Sequence, residues 1–83
     1  MRDQLIGCIP LDGMQLDYYL LVEETERETE HYGVKIEWEG GDCAAIAGIT
    51  ASQSRIEELL CLLQAGSVTP ATLWDVVEDW LLA

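Results

Sequence analysis

The densest run of chemically capable side chains is EETERETEH, Glu23 to His31. Carboxylates packed this closely offer ligands for Ca²⁺ or Mg²⁺, general acids and bases, or a string of negative charge for a basic surface. Each use demands a pattern. Calcium loops set Asp and Asn at alternate positions around a glycine turn. Glu23, Glu24, Glu26, Glu28 and Glu30 have no Asn or Gly among them, so the expectation is weak, nonspecific divalent binding and no metal centre. A glycosidase-like carboxylate pair is allowed by residue type, but 83 residues leave little depth for a substrate cleft. Ser52, Ser54 and Ser67 have His31 as their one prospective base, and no glycine-flanked elbow surrounds any of them. A Cys43–His31 pair is conceivable, although nothing in the spacing favours it. Cys8, Cys43 and Cys61 are widely separated and odd in number, which suits neither a disulfide framework nor the close pairs of a zinc site. The glycines form no phosphate-binding fingerprint. No catalytic residue, cofactor or metal is assigned, and the chain is expected not to be an enzyme.

Charge recognition remains. Sixteen acids against four Lys and Arg give a net charge of −12. That balance disfavours direct contact with nucleic acid or an anionic membrane and favours a basic protein surface. The plainer reading is that acidity keeps a small protein soluble. Glu23, Glu26, Glu28 and Glu30 at a protruding hairpin tip, with Glu37 and Glu39 along the adjacent strand, would form a negative ridge. Spaced carboxylates can occupy a groove built for phosphates, because both present negative oxygens to Arg and Lys. The expected function is a non-enzymatic acidic domain that binds or masks a basic partner, such as a nucleic-acid-binding enzyme. Its sharpest form is a nucleic-acid-mimicking inhibitor of the anti-CRISPR kind, encoded by phage. The alternative is a small bacterial regulatory or assembly module that uses apolar helix surface at Trp74, Leu62 and Leu82, as a homodimer or with another protein. No run reaches the roughly 18 apolar residues a membrane helix needs. LIGC, Leu5–Cys8, has too few residues before it for a lipoprotein leader, so the expected location is the cytoplasm.

These side chains need elements to hold them. Asp12-Gly13 suits the centre of a type I′ hairpin turn. Folding there sets Leu11 opposite Met14, Ile9 opposite Leu16, Gly7 opposite Tyr18 and Leu5 opposite Leu20. Leu5, Ile9, Leu16, Tyr18 and Leu20 then share a core face. Pro10 lacks a donor and marks an edge strand. In YGVKIEW, Tyr32, Val34, Ile36 and Trp38 alternate with Lys35 and Glu37, and pairing Val22 with Tyr32 and Leu20 with Val34 keeps the same core face. Gly40-Gly41 marks a turn, and CAAIAGI supplies a short fourth strand. The period then changes. Ser54 and Glu57 fit a capping box before the stripe Ile56, Leu59, Leu60, Leu63, with Gly66 as the stop. Thr69 and Pro70 open a second helix whose core stripe is Leu73, Val76, Val77, Trp80 and Leu81. Trp74 lies at the edge of that stripe, where an aromatic more often completes the core than anchors a partner. The predicted fold is α+β, a single domain over 1–83. An antiparallel sheet of three to four strands spans 1–49, followed by a helical pair over 52–83 packed on one face.

SRIEELLCLL and VTPATLWDVVEDWL resemble the end of an uncharacterised family of small clostridial proteins, known as a domain of unknown function. The positions carrying the resemblance are Ser54, Arg55, Glu57, Leu59, Leu60, Val68, Pro70, Leu73, Asp75, Val76, Val77, Asp79 and Leu81. YGVKIE is similar to a strand of the same family. About half of the chain is covered, most specifically from Pro70 to Val77. The resemblance implies a bacterial, cytoplasmic protein and transfers no activity, cofactor or catalytic residue.

Overall fold

Asp12 and Gly13 both take positive φ, 53° and 78°, and close the first hairpin as a type I′ pair. The computed structural model describes residues 2–27 and 29–82. Four strands come first: β1 (Arg2–Leu11), β2 (Met14–Glu24), β3 (Glu30–Trp38) and β4 (Cys43–Thr50). Helix α1 (Gln53–Ala65), a 3₁₀ turn (Pro70–Thr72) and helix α2 (Leu73–Leu82) follow. The strands form one antiparallel sheet in the order β1-β2-β3-β4, so the fourth strand is present and the fold is α+β.

Leu11 faces Met14, Ile9 faces Leu16 and Gly7 faces Tyr18, as the turn dictates. Beyond Gly7 the register shifts at Ile6, and Leu5 meets Tyr19 instead of Leu20. One extra residue reverses the side on which every later side chain lies. Leu5 is therefore exposed on the helix-free face, not in the core where strict alternation placed it. The β2–β3 pairing is regular and carries the expected partners Val22–Tyr32 and Leu20–Val34. Between β3 and β4 the register slips again: Tyr32 pairs with Thr50 while Val34 pairs with Ile46. Gly48 takes φ 65° in the surplus length of β4. Gly33 lies opposite the irregularity, and a Cβ there would collide with the Ile46 carbonyl oxygen.

Both helices pack on the sheet face carrying Leu16, Tyr18, Leu20, Val34 and Ile36, and they bury Ile56, Leu59, Leu63, Leu73 and Val77 against it. The capping residue of α1 is Ser52, not Ser54. Its Oγ accepts from the Arg55 amide at 3.4 Å, while its own amide donates to the Thr50 hydroxyl at 3.1 Å. That second bond holds Ser52 extended at the end of β4, so the helix starts two residues before the expected box. At the other end Gly66 keeps φ −91°, and Ser67 is the left-handed residue at φ 48°. The amides of Ser67 and Val68 donate to the carbonyls of Gln64 (3.1 Å) and Leu63 (3.0 Å), which makes a Schellman ending with serine where glycine is usual. Thr69 is extended and precedes Pro70 as expected, but makes no side-chain cap bond, and the α-helix proper waits until Leu73. Leu73 and Val77 are buried and Val76 and Trp80 partly so, whereas Leu81, placed in the core by periodicity, is exposed. Among the described residues no helix is long and apolar enough to cross a membrane.

Candidate functional site

The acids expected to make a single ridge are split by the pleat of the strands. Glu23 is exposed and faces His31 across the β2–β3 pair. Glu24 and Glu30 face each other on the opposite side of the sheet, with Arg2 between them at 3.9 and 2.8 Å. Glu26 is exposed in the turn beside Arg27, and Glu28 lies outside the described residues. Glu37 and Glu39 sit at the far end of β3, about 26 Å from the tip at the usual strand rise. There Glu37 lies 3.4 Å from Lys35, and Glu39 accepts from the Gln15 amide at 3.1 Å. The tip acids and the distal pair therefore form two groups, each interleaved with bases. His31 and Cys43 do not meet either: Cys43 pairs with Glu37, six residues along β3 from His31.

The helix-free face carries a row across all four strands, Cys8–Asp17–Glu37–Cys43. A hydrogen bond to Asp17 raises the Cys8 thiol above its ordinary value, with burial and the Asp17 charge adding to the effect. That is the reverse of thiolate activation. Burial pulls Lys35 down, but its hydrogen bond to Glu37 and the charges of Glu37 and Asp3 outweigh it and hold the ammonium above the ordinary lysine value. Lys35 also lies over the Tyr19 ring, 5.1 Å from its centre. Each carboxylate in the row thus has a partner in the chain, Asp17 from Gln15 at 2.7 Å and Glu37 from Lys35. Among the described residues no group of three or more His, Cys, Asp or Glu is arranged to hold a metal ion.

A different surface gathers side chains around a hole. Trp74, Leu81 and Leu82 are 61%, 56% and 80% exposed. With Ile46, Val77 and Glu78 they line an apolar cleft of about 280 Å³ between α2 and β4. Trp74 does not complete the core, contrary to its stripe-edge expectation. The row Leu73–Val77 faces the sheet, and a residue one step along a helix is turned about 100° from it. Trp80 packs inward instead, with the Arg55 guanidinium 4.6 Å from its ring centre. Leu62 is exposed on α1 and does not line this cleft. Ile46 and Leu81 complete the site, and the sequence pattern places neither of them there. Ile46 reads only as a strand residue, and periodicity assigns Leu81 to the core. No basic residue lies in α2 and no charged residue in β4, so Glu78 is the one charged residue lining the cleft, and its charge is negative.

The chain belongs to a family of unknown function, DUF6514, whose model matches residues 11–83. No curated protein and no solved structure matches it. The matched stretch takes in β2 to α2, and with them every residue of the cleft.

Proposed function

We propose that this member of a family of unknown function is a non-enzymatic, acidic protein-interaction domain. It docks the α2 face onto a partner surface that is apolar at its centre and basic at its rim. The observation that carries this reading is the exposed trio Trp74, Leu81 and Leu82 around the α2–β4 cleft. Contiguous apolar surface rimmed by charge is the usual mark of an interaction site, and tryptophan is the side chain most often dominant in one. Charge selects the occupant. A second copy would set −12 against −12 and Glu78 against Glu78, whereas a basic surface is drawn in and oriented by the opposite sign.

The nucleic-acid-mimicking, anti-CRISPR-like form needs one row of carboxylates standing in for phosphates. Net charge supports it, but the two separated acid groups and the interleaved Arg2, Arg27 and Lys35 do not. The apolar α2 surface is therefore the better candidate for the contact. A clostridial, cytoplasmic setting belongs with it on the strength of the sequence resemblance.

The test is affinity capture at low and high salt with three proteins in parallel: wild type, Trp74→Ala, and Glu26→Gln/Glu30→Gln. Each captured protein is then purified and its affinity measured. Trp74→Ala is expected to weaken binding about 30-fold, the scale of a hot spot of about 2 kcal/mol. The tip variant should bind nearly as wild type. Loss with the tip variant alone, with steep salt dependence, would transfer the function to the acids. Circular dichroism checks that Trp74→Ala keeps its fold, as exposure of that side chain leads one to expect.

A further inference from the structure

A sheet ordered β1-β2-β3-β4 has two free edges, and here they are built differently. β1 carries Pro10 without a donor, a register shift at Ile6, and the charges of Arg2 and Asp3. These are the devices by which sheets keep other chains from pairing with them. β4 reads CAAIAGIT, with no proline and no charge; its own register shift falls after Ile46, beside Gly48, and the outer residues before it, Cys43, Ala45 and Ala47, are small and exposed. It is also the edge beside α2, since Ile46 shares the cleft with Trp74, Val77, Leu81 and Leu82. An unguarded backbone edge and an apolar cleft are thus contiguous.

We propose that the partner engages as an extended segment added to β4 as a fifth strand over Cys43–Ala47. Its apolar side chains at alternate positions enter the α2 cleft, and the intervening Lys or Arg side chains lie on the helix-free face, drawn there by the net charge of −12. This rests on the reading above that α2 docks a basic-rimmed partner. The alternation follows from strand geometry: successive side chains point to opposite faces, and only those on the helix side reach Trp74 and Leu81. Main-chain hydrogen bonds supply affinity and the cleft supplies selection. Gly48 ends the straight part of β4, which limits the added strand to about five residues. A second copy is disfavoured because its own α2 carries acids and no base.

The probe is a short synthetic peptide of alternating Leu and Lys, N-methylated on one set of alternate amides so that it presents a single pairing edge. A peptide of the same composition with Leu at helical spacing is the control. Binding to ¹⁵N-labelled protein is read by the Trp74 indole signal and by amide exchange in β4. The alternating peptide is expected to shift Trp74 and to slow β4 exchange at least about tenfold, because closing an exposed amide lowers its open population. Leu82→Ser, which removes apolar lining without changing charge, should weaken both effects. A shift at Trp74 with β4 exchange unchanged overturns strand addition and leaves the α2 reading standing. No response at either place from either peptide overturns both. An alternating Leu/Glu peptide that binds equally well, or a dimer by sedimentation equilibrium with the same β4 amides protected, overturns the choice of a basic occupant.

Discussion

Tyr18 is wholly buried at the centre of the sheet, and its hydroxyl donates to the Val68 carbonyl at 2.9 Å, tying β2 to the link between the helices. Removing the donor strands that carbonyl in an apolar interior. Tyr18→Phe should cost about 1–2 kcal/mol, the usual penalty for an unpaired buried acceptor, and urea unfolding measures it. The same residue makes a prediction for pH. Burial raises the phenol above its ordinary value in the folded protein. The folded state therefore favours the protonated form, and ionisation occurs first in the unfolded chain. The stabilisation is complete below the ordinary tyrosine value and is lost as pH rises through the raised folded one. Lys35 and Tyr19 are raised as well. The difference between wild type and Tyr18→Phe across the alkaline range isolates Tyr18, and a gap that stays constant with pH would refute the assignment.

Elements were legible where the backbone demands a particular residue and obscure where a neighbour decides. Asp12-Gly13 could be read because few other pairs tolerate two positive φ values in succession. The shift at Ile6 left no mark, since Leu5 and Ile6 are both apolar and either could face the core. Ser54 is the better candidate in sequence because Glu57 follows it, and it is the Thr50 hydroxyl, at the strand end, that holds Ser52 as the cap. Gly66 marks the stop as expected, capping α1 directly after Ala65, but the left-handed position falls on Ser67. A non-glycine residue at φ 48° carries strain that glycine would not. Ser67→Gly should raise stability by about 1 kcal/mol, visible as a higher urea midpoint with unchanged slope. Gly33→Ala tests the opposite case. Its Cβ would drive into the Ile46 carbonyl, so a loss of about 2–3 kcal/mol is expected, together with faster amide exchange in β4 than in β2. Of the candidate site, Trp74 and Leu82 were legible as marginal apolar residues. Ile46 and Leu81 were not, because their role depends on which strand α2 overlies.

At the scale of the whole molecule, the −12 charge is a property of every side and not of one face. Carboxylates occupy the hairpin tip, the far turns at Asp12 and Asp42, and the outer surfaces of both helices, so the field surrounds a body of 43 × 27 × 17 Å. A field of that kind keeps like molecules apart even though one surface is apolar. Repulsion and the uncovered cleft are then in balance, and pH shifts that balance. As pH falls from neutral toward the isoelectric point near 4.1, net charge disappears while Trp74, Leu81 and Leu82 stay exposed. Sedimentation velocity should find a monomer at neutral pH and reversible association on acidification, with added salt acting weakly in the same direction. A double variant, Trp74→Ser/Leu82→Ser, removes the apolar surface without altering charge and should keep the acidified protein monomeric. Association of that variant as strong as wild type would mean that some other face is adhesive, and the α2–β4 cleft would lose its claim to be the surface that charge reserves for a basic partner.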